Sequence, residues 1–156
     1  MIFFTWLLLF TPIQKEQILE VMLSAFLPQE RVSEEELVHY YHKKVIPRLD
    51  EGHETYVAYD KDKMIAYAIY QKWDADSYYL AEMAVASGYQ GQGIGKKLVF
   101  SILEKEPSFK RILLVTESKN RWSQAFYKKI GFQPSSFRHP DYDPDEFIGF
   151  EYVIND

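Results

Sequence analysis

The run Gln90-Gly91-Gln92-Gly93-Ile94-Gly95 carries the clearest chemistry in the chain. It follows a strand-like segment, Tyr78–Val85, and opens a helix-like one in which Ile94, Leu98, Val99, Ile102 and Leu103 recur at helical spacing. Glycines at a helix start leave backbone N–H groups uncovered, and the helix dipole adds partial positive charge there. A phosphate is the natural guest. Lys96 and Lys97 in the first turn, with Glu104 and Glu106 near the end, reverse the order the macrodipole prefers. A polyanion bound at the N-terminus would offset that arrangement. Two phosphate signatures fail on the letters. A Walker A loop requires lysine where Ile94 stands, and a dinucleotide fingerprint requires glycine where Lys96 stands.

The pattern that does fit is Gln/Arg-x-x-Gly-x-Gly/Ala, through Gln90, Gly93 and Gly95. It resembles the acyl-CoA pyrophosphate loop of the GNAT superfamily of N-acetyltransferases. Downstream, Asn120, Ala125, Tyr127, Gly131 and Phe132 are similar to that family's Asn-x4-Ala-x-Tyr-x3-Gly-Phe segment. The resemblance is clearest from Tyr78 to Phe132. It implies a GNAT-type fold, a central mixed and mostly antiparallel sheet flanked by helices. It implies acetyl-CoA as co-substrate and no metal. It further implies coenzyme contacts from the backbone of Met83, Ala84 and Val85, from the loop Gln90, Gly91, Gln92, Gly93, Ile94, Gly95 and Lys96, and from Asn120 on the pantetheine arm.

Acyl transfer to an amine makes three demands: the nucleophile loses a proton, the oxyanion needs donors, and the thiolate is helped by an acid. Tyr127 is the acid candidate, in the position of the family's sulfur-protonating tyrosine. It follows Asn120 by two helical turns and shares its face. Trp122, Phe126 and Ile130 are expected to form a core stripe on another face, leaving Tyr127 off the apolar side. An alkyl ammonium has a pKa of about 10, so a base must take its proton near neutral pH. The family's two usual glutamate positions hold Tyr79 and Val115 here. Glu82 is the nearest carboxylate to the presumed reaction centre, with Glu117 next. A glutamate inside an apolar strand is unusual enough to mark Glu82 as the base candidate. A solvent-facing or lysine-paired Glu82, with a water chain in its place, is the alternative.

Other constellations are weaker. Asp141, Asp143 and Asp145 begin like a calcium loop, but Glu146 replaces the required glycine. A solvated turn is expected. His39 and His42 lie three apart without a third ligand in view and read as an exposed face. No Gly-x-Ser-x-Gly elbow exists. The chain has no cysteine, which excludes disulfides, thiolate sites and a cysteine nucleophile. Its net charge of −5 without a long basic stretch argues against nucleic-acid binding. The apolar start, Met1 to Phe10, lacks a basic n-region and is short for a membrane span, so a first strand at Trp6–Phe10 is expected after a hydrophobic lead-in. A cytoplasmic setting without membrane association is the default.

The elements that would position this chemistry follow from periodicity and punctuation. A helix is predicted over Gln14–Phe26, and another from the Ser33/Glu36 capping box until Pro47 closes it. Strands follow at Thr55–Asp60 and Met64–Gln71 around a turn at Asp60–Lys63, then at Tyr78–Val85. The glycine-loop helix runs to Glu106, a strand covers Arg111–Thr116, and a helix over Arg121–Ile130 stops at Gly131. Extended stretches at Phe132–Arg138 and Glu146–Ile154 end the order β-α-α-β-β-β-α-β-α-β-β. That is one mixed α/β domain over residues 1–156. The expected activity is acetyl transfer to a primary amine on a small molecule or peptide, by direct attack on the thioester. The rivals are a non-catalytic acyl-CoA sensor and an enzyme for another acyl group. A monomer and a homodimer are both compatible with the apolar start.

Overall fold

The computed structural model describes residues 1–29 and 32–154. Its elements, in chain order, are β1 (Ile2–Leu7), α1 (Pro12–Phe26), α2 (Glu34–Tyr40), a π-helical turn (Tyr41–Val45), α3 (Ile46–Asp50), β2 (Glu54–Asp60), β3 (Lys63–Asp74), β4 (Ser77–Val85), α4 (Ile94–Lys105), β5 (Arg111–Glu117), α5 (Arg121–Lys129), β6 (Gln133–Ser135) and β7 (Phe147–Val153). The strands form a seven-stranded sheet in the order β1-β2-β3-β4-β5-β7-β6. The β4–β5 pair is parallel, whereas β1–β2, β2–β3, β5–β7 and β6–β7 are antiparallel. The mixed, mostly antiparallel sheet expected from the sequence is therefore present. No helix among the described residues is long and apolar enough to cross a membrane.

Several boundaries differ from the sequence reading, β3 running on to Asp74 and β6 shrinking to Gln133–Ser135 among them, and three have a clear local reason. The first strand is Ile2–Leu7, so the supposed lead-in is the strand itself, in register with β2 from Ile2↔Asp60 to Leu7↔Thr55. Leu8 and Leu9 turn outward into solvent. Helix α1 starts two residues early because Thr11 and Gln14 form a reciprocal capping box and Pro12 supplies a pre-set φ at the first position. The second helix does not stop at Pro47. It passes through the π turn, and Pro47 sits in the first turn of α3, where its missing N–H costs nothing.

The chain divides into two compact units. The first comprises residues 1–71 and 81–105. Its core packs Ile18, Val21, Met22 and Ala25 of α1 and Leu37, Tyr41, Val45 and Leu49 of the α2–α3 segment on Val57, Tyr67, Ile69 and Ala84 of the strands. Tyr41 pins α1 to this segment by donating to the Lys15 carbonyl at 2.5 Å. Burial, with Glu16 and Asp50 adding to it, pushes the Tyr41 phenol up to about 12.

The second unit comprises residues 72–80 and 106–156. Ile112, Leu113, Leu114, Phe132 and Phe150 are buried within it. Beside them lies an aromatic group in which Trp73, Tyr79 and Tyr142 surround His139, at 4.9 to 5.2 Å between ring centroids. The turn at residues 141–146 is built by Asp143, whose carboxylate accepts from Asp145 N–H and whose carbonyl accepts from Glu146 and Phe147.

Candidate functional site

In the first unit the glycine segment is a braced loop. Ala86 N–H donates to the Ile65 carbonyl, Ser87 N–H to Ser24 Oγ, and Tyr89 Oη to Asp60 at 2.5 Å. The Gln90 amide reaches back to the Val85 carbonyl at 2.9 Å. Gln90 thus fastens the loop to the end of β4, a role its side chain fills without any ligand. Gly91 and Gly93 have φ of +80° and +81° with nothing near their absent Cβ atoms. Glycine is required there for backbone conformation, and the space beside it is open. Ile94 opens α4 with its side chain buried, so only its backbone faces outward chemistry.

The lysines divide. Lys97 Nζ lies 4.1 Å from the centre of the Phe4 ring, held against β1 by a cation–π contact. Its place in the first turn of α4 therefore has a structural cause independent of any anion. Lys96 is exposed and stays with the loop.

Two residues before Ala84 on β4, Glu82 faces neither solvent nor a lysine. Tyr40 Oη donates to Glu82 Oε2 at 2.7 Å, and Arg48 Nη1 lies 3.8 Å from the same oxygen. Arg48 also donates to Tyr40 Oη at 3.4 Å. The Glu82 and Arg48 side chains are 10% and 11% exposed. Burial raises the Glu82 carboxyl above its usual range, and the Tyr40 hydrogen bond, the Arg48 charge and the Met83 backbone N–H offset only part of this. A carboxylate held in this way takes up a proton more readily than a free one.

The π turn explains how Tyr40 and Arg48 come together. Residues eight apart on an α-helix are about 80° out of phase, whereas residues seven apart are within about 20°. Ile46 N–H bonds to the Tyr41 carbonyl, an i→i+5 step that takes up one extra residue. Tyr40 and Arg48 then share a face. The sequence reading singles out neither residue. The available signal was a helical pattern running on to a proline with its apolar phase slipped by one residue.

In the second unit, α5 corrects the expected helix face. None of its residues is fully buried, and Trp122 is 84% exposed. The supposed core stripe is therefore not a core, because the Trp122 end of the helix has no layer over it. Tyr127 is not set apart from hydrophobes either, since its ring meets those of Phe126 at 5.2 Å and Phe132 at 5.4 Å. The expected stop at Gly131 is present, with φ of +109°. Phe132 N–H bonds the Tyr127 carbonyl and Gly131 N–H the Lys128 carbonyl, which is the Schellman arrangement. Its usual hydrophobic contact is the Phe132–Tyr127 ring pair, so the glycine cap orients the Tyr127 ring. Asn120 caps the start of α5, its Oδ1 accepting from Ser123 N–H at 3.1 Å.

The remaining residues are placed simply. Ala84 is buried, and Met83 and Val85 are half-buried. His39, His42 and Glu117 are exposed. No cluster of three metal-ligating side chains occurs among the described residues.

Comparison with known proteins agrees with this picture. The model of a family described as Acetyltransferase (GNAT) family matches residues 16–132. N-alpha-acetyltransferase 30 of Schizosaccharomyces pombe is 34% identical over 85 residues, a match covering 50% of this chain and 56% of that relative. The chain thus spans little more than half the length of this curated relative. The fold is similar to a crystal structure from Pyrococcus horikoshii OT3, with a TM-score of 0.78, 19% identity and 99% of each chain covered. It is also similar to the PaiA N-acetyltransferase of Thermoplasma acidophilum in complex with coenzyme A, with a TM-score of 0.74, 18% identity and 97% and 99% of the two chains covered.

Proposed function

Because this chain belongs to the GNAT acetyltransferase family, we propose that residues 1–156 work as one acetyl-CoA-dependent N-acetyltransferase domain. The acceptor is a primary amine that attacks the thioester directly. The observation that carries this reading is Glu82, a carboxylate buried within β4, held by Tyr40 and Arg48 and raised in pKa, three residues before the end of the strand that leads into the glycine loop. A module that only sensed acyl-CoA would have no use for a poised base.

In this reading the uncovered N–H groups from Gly91 to Lys96 hold the coenzyme pyrophosphate, with Lys96 adding charge. The open space beside Gly91 and Gly93 fits such a group. Backbone N–H groups of Met83, Ala84 and Val85 hold the thioester carbonyl and the pantetheine arm, with the Asn120 amide assisting. Glu82 takes the proton from the ammonium, and Tyr127 returns one to the leaving thiolate. The name of the Schizosaccharomyces pombe relative favours an α-amine, a peptide N-terminus, over a side-chain or polyamine nitrogen. A cytoplasmic enzyme, monomeric or homodimeric, is the setting this reading assumes.

The test pairs binding with turnover. Acetyl-CoA at 100 times its Kd adds about 2.7 kcal/mol to the folded state, which thermal unfolding detects. Glu82→Gln should keep that shift and lose about 10²- to 10⁴-fold in amine-dependent thiol release. Gly93→Glu should lose the shift itself. A wild-type chain that folds but neither binds acetyl-CoA nor releases thiol refutes the proposal.

A further inference from the structure

Tyr67 of β3 is completely buried, and its hydroxyl has no hydrogen-bond partner among the described residues. Native cores rarely leave such a group unsatisfied, and phenylalanine would fill the same space without the penalty. The hydroxyl calls for a reason outside the resting packing.

Its neighbour supplies one. Ala86 N–H bonds the Ile65 carbonyl at 2.8 Å, and β3 turns into β4 through Ala75 and Asp76. Both ends of this hairpin give the same antiparallel register, which sets Tyr67 opposite Ala84 and Ile69 opposite Glu82. Tyr67 and Glu82 are then diagonal neighbours on the face that carries α1 to α3, about 7–8 Å apart along the sheet and within reach of long side chains. The side-chain contacts that hold Glu82, from Tyr40 and from Arg48, both fall on Oε2, and the Met83 backbone N–H also acts on the carboxylate. With both side-chain contacts on Oε2, Oε1 is the oxygen assigned to the proton taken from a substrate. Once there it makes Oε1 a donor in a buried place, where it needs an acceptor. The Tyr67 oxygen has lone pairs not committed to any protein donor.

We propose that Tyr67 is a positioning residue for the base: its hydroxyl oxygen accepts the hydrogen bond of Glu82 in the protonated state. This rests on Glu82 being the base of the acetyl transfer. The step balances simply. An ammonium N–H bond breaks with its electron pair left on nitrogen, an O–H bond forms at Oε1, and that O–H points to the Tyr67 oxygen. By stabilising the acid form, Tyr67 keeps Glu82 basic against the opposing pull of Arg48. The charged and titratable groups that bear on the pair are Tyr40 of α2, Tyr41 of the π turn and Arg48 of α3. Glu16 of α1 and Asp50 of α3 act on Tyr41, with Lys15 paired to Asp50.

The test compares the full chain with its Tyr67→Phe, Glu82→Gln and double variants. The readouts are thermal unfolding and the pH profile of kcat/KM, with acetyl-CoA as donor and a peptide N-terminus as acceptor. Tyr67→Phe should unfold no earlier than wild type, since it removes an unsatisfied group. Its acid limb should move down by about half to one pH unit, the worth of one net hydrogen bond. In the Glu82→Gln background the same change should do nothing to the profile. An acid limb that stays put or moves up in Tyr67→Phe overturns the assignment. So does a variant that unfolds early or fails to fold, because the hydroxyl would then have a structural partner. If Glu82→Gln keeps the wild-type limb, Glu82 is not the base and both readings fall. If Glu82→Gln abolishes the limb while Tyr67→Phe leaves it unmoved, only the role of Tyr67 is lost.

Discussion

Replacing Arg48 with methionine takes away the guanidinium 3.8 Å from Glu82 Oε2. Two unit charges about 4 Å apart interact by about 4 kcal/mol at an effective dielectric of 20 and by about 1 kcal/mol in bulk water. Both side chains are nearly buried, so the pair lies nearer the first limit than the second. One pH unit corresponds to about 1.36 kcal/mol, and Arg48, after the Tyr40 hydrogen bond, holds the Glu82 carboxyl down against its burial. Burial already raises this carboxyl despite Arg48, and removing the cation raises it further. The proposed base works only when ionised, so activity should be lost as pH falls through its titration. The Arg48→Met variant should show the acid limb of kcat/KM moved up by about 1 to 3 pH units, and Arg48→Lys a smaller move. The assay is initial-rate thiol release at saturating acetyl-CoA across pH 5 to 9. Linkage gives a second readout. A carboxyl with a raised folded-state pKa stabilises the fold below the ordinary glutamate range and loses that contribution as pH rises through the raised value. The variant should lose stability over a wider span of rising pH than wild type. A folded Arg48→Met protein whose acid limb is unmoved, or has moved down, would refute the coupling of Arg48 to the reacting carboxylate.

Two further outcomes follow from the same structure. Tyr127→Phe should lower kcat with the acetyl-CoA thermal shift unchanged, and a normal kcat would remove the tyrosine from the chemistry. Thr11→Ala deletes the capping box of α1 and should cost about 1 kcal/mol, read as a lower denaturant midpoint at constant slope, with kcat/KM unaffected.

What the sequence made legible was local. The glycine loop announced itself because Gly91 and Gly93 occupy backbone conformations that other residues avoid, and Gly131 marked a helix end for the same reason. The order of helices and strands along the chain followed from apolar runs and turns. Contacts across the fold were not legible. Glu82 was recognisable as a misplaced carboxylate, but its partners lie 42 and 34 residues earlier on the chain, where no spacing rule connects them. The Trp122–Phe126–Ile130 stripe misled because helical periodicity reports an apolar face without saying whether anything covers it. Lys97 misled in the opposite way. Its position looked electrostatically wrong until the Phe4 ring, 93 residues away in sequence, was beside it.

The π turn at Tyr41–Val45 has one more consequence. Arg48 faces Glu82 because one residue more than an α-helix accommodates lies between Tyr40 and Arg48. Deleting one residue of that turn would let the helix close into regular α geometry with Tyr40 and Arg48 seven apart, still within about 20° of one face, whereas closing the turn at full length would leave them about 80° out of phase. In the second case the guanidinium would leave the carboxylate although no side chain at the site had been altered. The charge beside Glu82 is in this sense matched to chain length: a segment one residue shorter and regularly α-helical should keep the pair, and one of the same length without the π turn should lose it.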